Sequence, residues 1–379
     1  MRHETLSSVR DVPADAWREV RAQSDADAVF ASPAWLGPWL DTLGADYDSL
    51  IHTVYEGDEL IAVLPLIRRK KEGFRQLALA GVHASDTLDF AVRPGCVDAV
   101  ARYLVDTILP ATPDWDLFHC TRFVRGRSSG QALTAALAQS RYRYDERPFD
   151  VAPYVAIEGA FDEYLSRHVR KKLVKDSERQ LRRIERDVGP ITYERAKTAA
   201  DIDRWMPTLA RLHRVRREDD KGDYSMFSDD MTRTFYTRVA HEMLAEGVLD
   251  FTALLVDGEV AALHFGFATP ERFYYTLPVF DLAYGKYSIG RLLMLELMRR
   301  SFEAGRAVFD FGYGDEAYKY EFTETKDTLD ELVVGNDTLR GGIAMTWFKG
   351  IRQKIKSSDA FMAHVLPRLK QGGLVTEGS

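Results

Sequence analysis

Two stretches of this chain, 200 residues apart, carry the same hairpin pattern. Residues 51–67 alternate as two short strands around a Gly-Asp turn, and residues 251–267 repeat this around Asp257-Gly258. Each hairpin precedes more strand-like sequence and then a helical segment, at 76–92 and 97–108 and again at 272–280 and 289–304. The repeat predicts an α/β (α+β) fold with two tandem halves, each a mixed sheet flanked by helices. We place them at 1–155 and 156–340, followed by an amphipathic tail at 341–379.

The composition is typical of a soluble enzyme with two domains. The 379 residues are 45% hydrophobic and 29% charged, and no apolar run reaches the roughly 20 residues of a membrane span. The N-terminus is polar and lacks the apolar region of a signal peptide. Cys96 and Cys120 are too few for a disulfide framework, and the net charge of −7 argues against general nucleic-acid affinity. We therefore predict a cytoplasmic protein with no metal site.

Residues 284–322 hold the strongest functional pattern. A turn with a serine and a glycine opens an apolar helix that stops at Gly305, and a short strand and a polar turn follow. Ser288 is a suitable N-cap for this helix, and Gly290 lets the backbone approach a ligand closely. Free N–H groups and the helix dipole at such a turn favour a phosphate.

The polar turn after the short strand contains the densest cluster of reactive side chains: Asp310, Asp315, Glu316, Tyr318 and Lys319. Asp310 lies between Phe309 and Phe311, so we expect it to be buried with a partner. The pattern Asp-x-Gly-x-Gly-x-x-x-Tyr-Lys, formed by Asp310, Gly312, Gly314, Tyr318 and Lys319, resembles the signature of acyltransferases of the GNAT superfamily. The resemblance is to the CelD-like branch, which is related to the FemABX aminoacyl transferases.

This resemblance implies two GNAT-like halves and acyl-CoA, acetyl-CoA or longer, as co-substrate. In that fold, pantetheine lies in a gap between the fourth and fifth strands, which we assign to 261–268 and 273–278. The turn for the CoA pyrophosphate would comprise Lys286, Tyr287, Ser288, Ile289, Gly290 and Arg291, with one glycine where the superfamily usually has two. The first half has only Arg93-Pro94-Gly95-Cys96 at the matching position. We therefore predict that this half is degenerate and recognises the acceptor.

The catalytic residues implied are Lys319, Asp310, Asp315, Tyr318 and His264. Lys319 would neutralise a phosphate or an oxyanion, and the alternative is a structural Lys–Asp pair that closes the turn. His264 would act as a general base through water, and the alternative is a core histidine hydrogen-bonded to a neighbouring strand. The predicted acceptor contacts are Asp86, Tyr284, Glu316 and Arg170. Asp86 has an equal alternative as a turn residue.

Two basic segments each admit two interpretations. Residues 161–187 form a helix with a narrow apolar stripe and nine Lys and Arg residues at 167–186. It is either a solvated amphipathic helix or a site for a CoA phosphate, a nucleotide-sugar or an aminoacyl-tRNA. The tail from 341 to 369 either docks its apolar side on the protein or lies on an anionic membrane surface. We favour docking.

The leading hypothesis is an N-acyltransferase that moves an acyl group from acyl-CoA to an amine by direct attack in a ternary complex. The acceptor would be a small molecule or glycan amine, such as an amino sugar of a polysaccharide. The alternatives are a FemABX-like transferase that uses aminoacyl-tRNA, and a non-catalytic GNAT-like component of a polysaccharide-synthesis assembly. The fold alone does not decide among them.

Overall fold

The structure, a computed structural model, describes residues 1–221 and 225–351. The strands in these ranges are β1 (Arg2–Leu6), β2 (Asp48–Glu56), β3 (Glu59–Lys71), β4 (Phe74–Leu79), β5 (Ala91–Val92), β6 (Leu117–Val124), β7 (Arg143–Ala156), β8 (Ile191–Arg195), β9 (Leu249–Val256), β10 (Glu259–Ala268), β11 (Arg272–Phe280), β12 (Val308–Asp310) and β13 (Lys326–Gly335). The helices are α1 (Ala14–Gln23), α2 (Pro33–Leu40), α3 (Val97–Tyr103), α4 (Leu109–Ala111), α5 (Ser128–Ala138), α6 (Phe161–His168), α7 (Lys171–Asp187), α8 (Ala199–Lys221), α9 (Asp230–Ala245), α10 (Ile289–Glu303) and α11 (Leu339–Thr346).

The chain divides into two compact units. The N-terminal unit comprises Met1–Phe149 together with the chain from Thr328 onward, and the C-terminal unit comprises Asp150–Asp327. Each unit contains a mixed sheet with helices packed on it, which confirms the predicted fold class.

In the N-terminal unit the strands follow the order β1-β2-β3-β4-β6-β13, and β5 pairs with β3. β2 and β3 form the predicted hairpin, with Gly57 at a φ of 60° in its turn. β4 and β6 are parallel, but only Gln76–Leu117 and Leu77–Phe118 are paired before the strands separate. Beyond these pairs, β6 receives a hydrogen bond from the segment 80–90, in which Leu88 N donates to the Arg122 carbonyl at 3.1 Å.

In the C-terminal unit the order is β7-β12-β11-β10-β9-β8. Asp257 and Gly258 both have positive φ, 51° and 82°, as the two-residue turn of the predicted β9–β10 hairpin requires. β11 and β12 are parallel neighbours joined through α10, and their pairing also ends early. The apolar face of α10 packs into the core with α6 and α7, through Leu293, Leu297 and Ile184 among others.

The units do not coincide with the predicted segments, because two strands are placed differently. β13 pairs antiparallel with β6, from Leu329–Val124 to Gly335–Leu117, so it belongs to the sheet of the N-terminal unit. The end of β7 pairs with β12, from Ala156–Val308 to Tyr154–Asp310, and belongs to the C-terminal unit. Strand alternation in a sequence shows that a strand forms but not which sheet accepts it.

The tail begins with α11, which docks on the N-terminal unit. Ala344, Met345 and Phe348 pack against Leu117 and Val333. Residues 339–350 therefore follow the docking alternative, while Arg352, Lys354, Ile355 and Lys356 of the predicted basic face lie outside the described residues. No helix within 1–221 and 225–351 has the length and apolar character needed to cross a membrane.

Asp116 joins the start of α11 to the sheet. Its carboxylate is fully buried and accepts hydrogen bonds from the Arg75 backbone N–H (2.8 Å), Arg75 Nη2 (3.0 Å) and Arg340 Nε (2.9 Å). Burial alone would raise the pKa of Asp116, but the hydrogen bonds and charges of the two arginines outweigh it and hold the pKa below its usual value.

We expect Asp116→Asn to lower the free energy of unfolding by about 2–4 kcal/mol at pH 7, because two arginines lose a buried counter-ion. A depressed folded pKa stabilises the protein above the unfolded pKa of about 3.9, and this is lost as the pH falls through the folded value. The difference between the variant and the wild type should therefore shrink below about pH 4. Urea unfolding at several pH values measures it.

Asp114→Asn is the matched control, because Asp114 also pairs with Arg75 (2.6 Å) but its side chain is 69% exposed. Its effect should stay below about 1 kcal/mol. Equal losses for both variants would contradict the role given to Asp116.

Candidate active site

Lys319 fixes the turn that follows β12. Its side chain is only 2% exposed. Nζ donates to the carbonyl oxygens of Gly312, Tyr313 and Gly314, at 3.1, 2.8 and 3.1 Å, and lies 2.8 Å from Glu316 Oε2. Gly312 and Gly314 have φ of 69° and 107°, the left-handed conformations that let three successive carbonyls point at one ammonium group. Lys319 is therefore a clamp for the turn.

The other members of the predicted cluster have separate partners. Asp310 is buried as expected, but it pairs with Arg272 Nη1 at 2.6 Å and accepts the Gly312 N–H at 2.9 Å. Asp315 is exposed and accepts a hydrogen bond from the Tyr320 hydroxyl. The alternative interpretation of Lys319 as half of a Lys–Asp pair that closes the turn named the wrong partner, since the carboxylate beside Lys319 is that of Glu316. No local pattern relates Arg272 to Asp310, so the sequence did not reveal this partner.

Tyr318 and Glu316 are also exposed members of the cluster. The Tyr318 ring is 40% exposed and meets the Phe311 ring edge-on, with centroids 6.3 Å apart. Partial burial and the Glu316 carboxylate raise the pKa of Tyr318, so the phenol stays protonated at neutral pH. A positioned carboxylate and a protonated phenol can together accept one proton and donate another.

His264 lies in the core of the sheet, in the middle of β10. Its ring is fully buried and stacks on Tyr275, with centroids 4.9 Å apart and an interplanar angle of 5°. Nδ1 is 3.7 Å from Asp250 Oδ1. Burial lowers the pKa of His264, although Asp250 opposes this, so the imidazole is neutral. This position corresponds to the core-histidine alternative and gives no direct path to an acceptor amine.

The gap in the C-terminal sheet is between β11 and β12, and the predicted gap between β10 and β11 is wrong. β10 and β11 are paired from Ala262–Phe280 to Ala268–Phe273. β11 and β12 are paired only at Arg272–Val308, Phe273–Phe309 and Tyr274–Asp310, although β11 continues to Phe280. The error arose because a hairpin strand and a crossover strand look alike in sequence.

The turn predicted for a phosphate lies at the start of α10. The helix begins at Ile289 as expected, with Arg291 N and Leu292 N donating to the Ser288 carbonyl at 3.0 and 3.2 Å. Ser288 itself has a φ of 54°, and its side chain makes no capping hydrogen bond, so the predicted side-chain cap is wrong. The N–H groups of Ile289 and Gly290 come before the first helical hydrogen bonds, and the helix offers them no acceptor.

Side chains around this turn fit an anionic group. Lys286 is exposed, and its ammonium lies 5.0 Å from the centre of the Tyr287 ring. A side chain at Gly290 would bring its Cβ within 3.1 Å of Phe280, so glycine keeps the turn close to the end of β11. Arg291 is held by Asp176 of α7 at 2.6 Å. The residues that fit a pyrophosphate are thus Lys286 and the first N–H groups of α10.

The basic helix has a buried side and an exposed side. Leu173 and Ile184 of α7 lie in the core, and Arg183 lies 5.2 Å over the ring of Tyr287. Arg170 pairs with Glu321 at 2.7 Å, although it was predicted to contact the acceptor. Four exposed cations of α7 form no ion pair with the part of the chain that the structure describes: Lys171, Lys172, Lys175 and Arg182.

Two predicted acceptor residues lie in different units. Asp86 is half-buried in the 80–90 segment of the N-terminal unit. Tyr284 packs against the core of the C-terminal unit beside the turn at 282–287. Neither placement tests a contact with an acceptor, so both remain predictions. Arg216, whose guanidinium lies 5.1 Å over the Phe280 ring, also borders the end of β11 and was not predicted.

Comparison with known proteins gives a family match for the part of the chain that contains this site. Residues 167–320 match the family model described as an acetyltransferase (GNAT) domain. No curated protein matches the chain. The C-terminal unit thus carries a GNAT-type N-acyltransferase domain, and the expectation of an enzyme of this class is confirmed.

Solved structures extend the likeness to the whole chain. FemX has a TM-score of 0.63 at 10% identity, over 91% of this chain and 99% of its own. A conserved protein of unknown function from Bacteroides thetaiotaomicron has a TM-score of 0.57 at 13% identity, over 88% and 100%. The C-terminal domain of a putative lysylphosphatidylglycerol synthetase from Agrobacterium fabrum has a TM-score of 0.52 at 13% identity, over 88% and 94%. The fold is that of the GNAT superfamily, in its FemABX-related form.

We expect Lys319→Met to destabilise the C-terminal unit by about 3 kcal/mol, because three turn carbonyls and Glu316 lose a buried cation. Turnover should fall in the same variant, since the turn no longer positions Glu316 and Tyr318. Urea unfolding and kcat/KM measure the two effects. Lys197→Met is the control, because Lys197 is an exposed lysine of the same unit and should change neither. Lost turnover with unchanged stability would instead indicate that Lys319 contacts the substrate directly.

Proposed function

We propose that the protein transfers an acyl group from acyl-CoA to an amine acceptor by direct attack in a ternary complex. The observation that carries the proposal is the separation of β11 from β12 after three paired residues, directly beside the start of α10. The family model supports acyl transfer in general. That acyl-CoA is the donor and an amine the acceptor is what we propose.

The donor site uses the edge of β11 beyond Tyr274. An extended chain with amide groups can hydrogen-bond to a strand edge in the way an added strand does. Lys286 and the N–H groups of Ile289 and Gly290 would hold the pyrophosphate, because both a cation and a helix N-terminus favour it. Acyl-CoA supplies an activated thioester in this arrangement.

The proposed chemistry places two groups on the clamped turn. Glu316 accepts a proton from the acceptor ammonium, directly or through water, and the free amine attacks the thioester carbonyl. The carbon–sulfur bond breaks, and Tyr318 donates its phenolic proton to the leaving thiolate. The attacking nitrogen then gives its second proton to the Tyr318 phenolate, directly or through water, so that the amide and the CoA thiol are formed. Glu316 is suited to this because its side chain is 57% exposed and oriented by Lys319. Asp310 and Arg272 hold the base of the turn, and Asp315 fixes Tyr320.

The acceptor is proposed to be a small or glycan amine, such as an amino sugar. Asp86 and Tyr284 remain the proposed acceptor contacts, with the N-terminal unit on the acceptor side. Its 80–90 segment supports this, because it occupies the gap beside β6 that would otherwise resemble a donor site.

A second candidate is transfer of an amino acid from aminoacyl-tRNA. The observation that favours it is the exposed cationic face of α7, formed by Lys171, Lys172, Lys175 and Arg182. Exposed cations along one helix face can contact a phosphate backbone, and such binding weakens as salt rises.

We expect acetyl-CoA to stabilise the protein against heat, by roughly 2.7 kcal/mol at about a hundred times its dissociation constant. Lys286→Ala should weaken acetyl-CoA binding about tenfold, because it removes one cation from the pyrophosphate. Lys197→Ala is the control with an exposed lysine elsewhere in the same unit, and it should bind normally. A thermal-shift titration measures all three. Stabilisation by aminoacyl-tRNA and by no acyl-CoA would move the proposal to the second candidate.

We expect Glu316→Gln to reduce kcat/KM by about 10²–10⁴, as is typical when a general base is removed. Activity should partly recover at high pH, where the free amine is abundant. His264→Phe preserves an aromatic ring in the stack with Tyr275 and should leave the shape of the pH–rate profile unchanged. Profiles of kcat/KM against pH for both variants show which of the two residues is the general base. If His264→Phe erased the acid limb while Glu316→Gln kept it, His264 would be the base after all.

A further inference from the structure

The N-terminal unit contains a small pocket with a cationic lining. Arg69 and Lys71 come from β3, His83 from the 80–90 segment, and Arg122 from β6. His119 and Glu331 form another part of its wall. The pocket opens to solvent beside His83, which is exposed. It lies in the compact unit that contains no proposed catalytic residue.

Arg69 is a buried cation whose hydrogen-bond partners are His83 and Tyr47, and no carboxylate of the described residues lies within ion-pair distance of it. It is only 6% exposed, and its Nε has no hydrogen-bond partner. Nη1 lies 3.0 Å from His83 Nε2, and because an arginine only donates, the histidine nitrogen must accept and the imidazole is neutral. Within the described ranges 1–221 and 225–351, Arg69 forms no ion pair. A buried guanidinium with neutral partners is costly unless something else compensates it.

The neighbouring carboxylates are engaged elsewhere. Glu331 Oε1 lies 2.7 Å from His119 Nε2, and Oε2 accepts from Arg147 Nε at 2.6 Å. Burial alone would raise the pKa of Glu331, but His119 and Arg147 outweigh it and lower the pKa to about 2. Glu72 accepts a hydrogen bond from the Trp347 indole at 2.9 Å. The charge of Glu72 acts on Arg69 from beyond ion-pair distance, and neither carboxylate forms a direct ion pair with this guanidinium.

The backbone around the pocket is held in rarely populated conformations. Two residues of β6, Thr121 and Arg122, face the single residue Glu331 of β13, which is a β-bulge. Arg122 has a φ of 59° in this bulge, and His83 has a φ of 73°. Each such non-glycine residue costs about 1 kcal/mol, and such residues cluster at ligand sites. The bulge lets Arg122 Nη1 donate to the Ser85 carbonyl at 2.7 Å and join the pocket wall.

We propose that this pocket is an anion subsite in which Arg69 binds a carboxylate or phosphate group of the acceptor substrate, assisted by Lys71 and Arg122. The inference rests on the proposed function for the identity of that substrate as an acceptor amine. It adds that the acceptor is anionic, for example a phosphorylated or carboxylated amino sugar rather than a neutral one. Charged hydrogen bonds in a partly enclosed pocket provide this selectivity.

The test is binding in the absence of any acyl donor, so that it does not depend on catalysis. Isothermal titration calorimetry compares glucosamine 6-phosphate, glucosamine, inorganic phosphate and malonate on the full chain. We expect phosphate or malonate to bind, and the tighter of the two shows whether the pocket prefers a phosphate or a carboxylate group. We also expect glucosamine 6-phosphate to bind more tightly than glucosamine. Arg69→Met should weaken anion binding ten- to a hundredfold, as expected for the loss of one charged hydrogen-bonding group.

Two further measurements separate a ligand-binding arginine from a structural one. Ligand-free Arg69→Met should melt at the same or a higher temperature than the wild type, because an uncompensated buried charge is removed. Arg68→Met is the control on the same strand, since Arg68 pairs with Asp48 at 3.0 Å and should leave anion binding unchanged. A lower melting temperature for Arg69→Met together with unchanged anion binding would overturn the subsite.

The outcomes also separate this proposal from the proposed function. If the anions bind and Arg69→Met abolishes binding, the subsite stands even where no acyl transfer to any amine is detected. If acetyl transfer occurs with equal kcat/KM for glucosamine and glucosamine 6-phosphate, and calorimetry finds no anion binding, acyl transfer stands and the subsite is wrong.

Discussion

The structure depends on how far two parallel strands remain hydrogen-bonded. In each unit, a strand and its parallel neighbour are joined through a helix, and their pairing is short. In the N-terminal unit, β4 and β6 are paired at two positions, Gln76–Leu117 and Leu77–Phe118. In the C-terminal unit, β11 and β12 are paired at three positions, from Arg272–Val308 to Tyr274–Asp310. Beyond these pairs, backbone N–H and C=O groups that face the gap need other partners, because unpaired buried groups are costly.

The two units meet this requirement differently. In the N-terminal unit, the segment 80–90 lies in the gap, where Leu88 N donates to the Arg122 carbonyl and Trp35 Nε1 donates to Ser85 Oγ. In the C-terminal unit, the chain after β12 turns away at 311–314 and is held by Lys319. One gap is therefore filled by the protein's own backbone, which leaves the other as the better candidate for an extended donor molecule.

Local features of this fold could be predicted from the sequence, and distant ones could not. The turn at Asp257-Gly258 and the start of α10 at Ile289 follow from short-range backbone preferences, so the sequence predicts both. The partner of β13 and the position of the gap depend on which strands meet in space, which alternation does not encode. The candidate site shows the same division. The short strand and the polar turn over 308–319 follow from the sequence, but the partners of Asp310 and Lys319 do not.

Lys319 illustrates why residue type alone misassigns a role. A lysine in a polar, glycine-containing turn suggests a charge aimed at the substrate, but three carbonyls and one carboxylate already satisfy this ammonium. Arg69 is the opposite case, because it lies in an ordinary strand pattern yet is buried with no carboxylate partner. A cation whose partners are all in the protein stabilises the fold, whereas a buried cation without a counter-ion indicates that the anion comes from outside. By this criterion, the buried charge available to a ligand lies at Arg69, and the charge that shapes the proposed catalytic turn lies at Lys319.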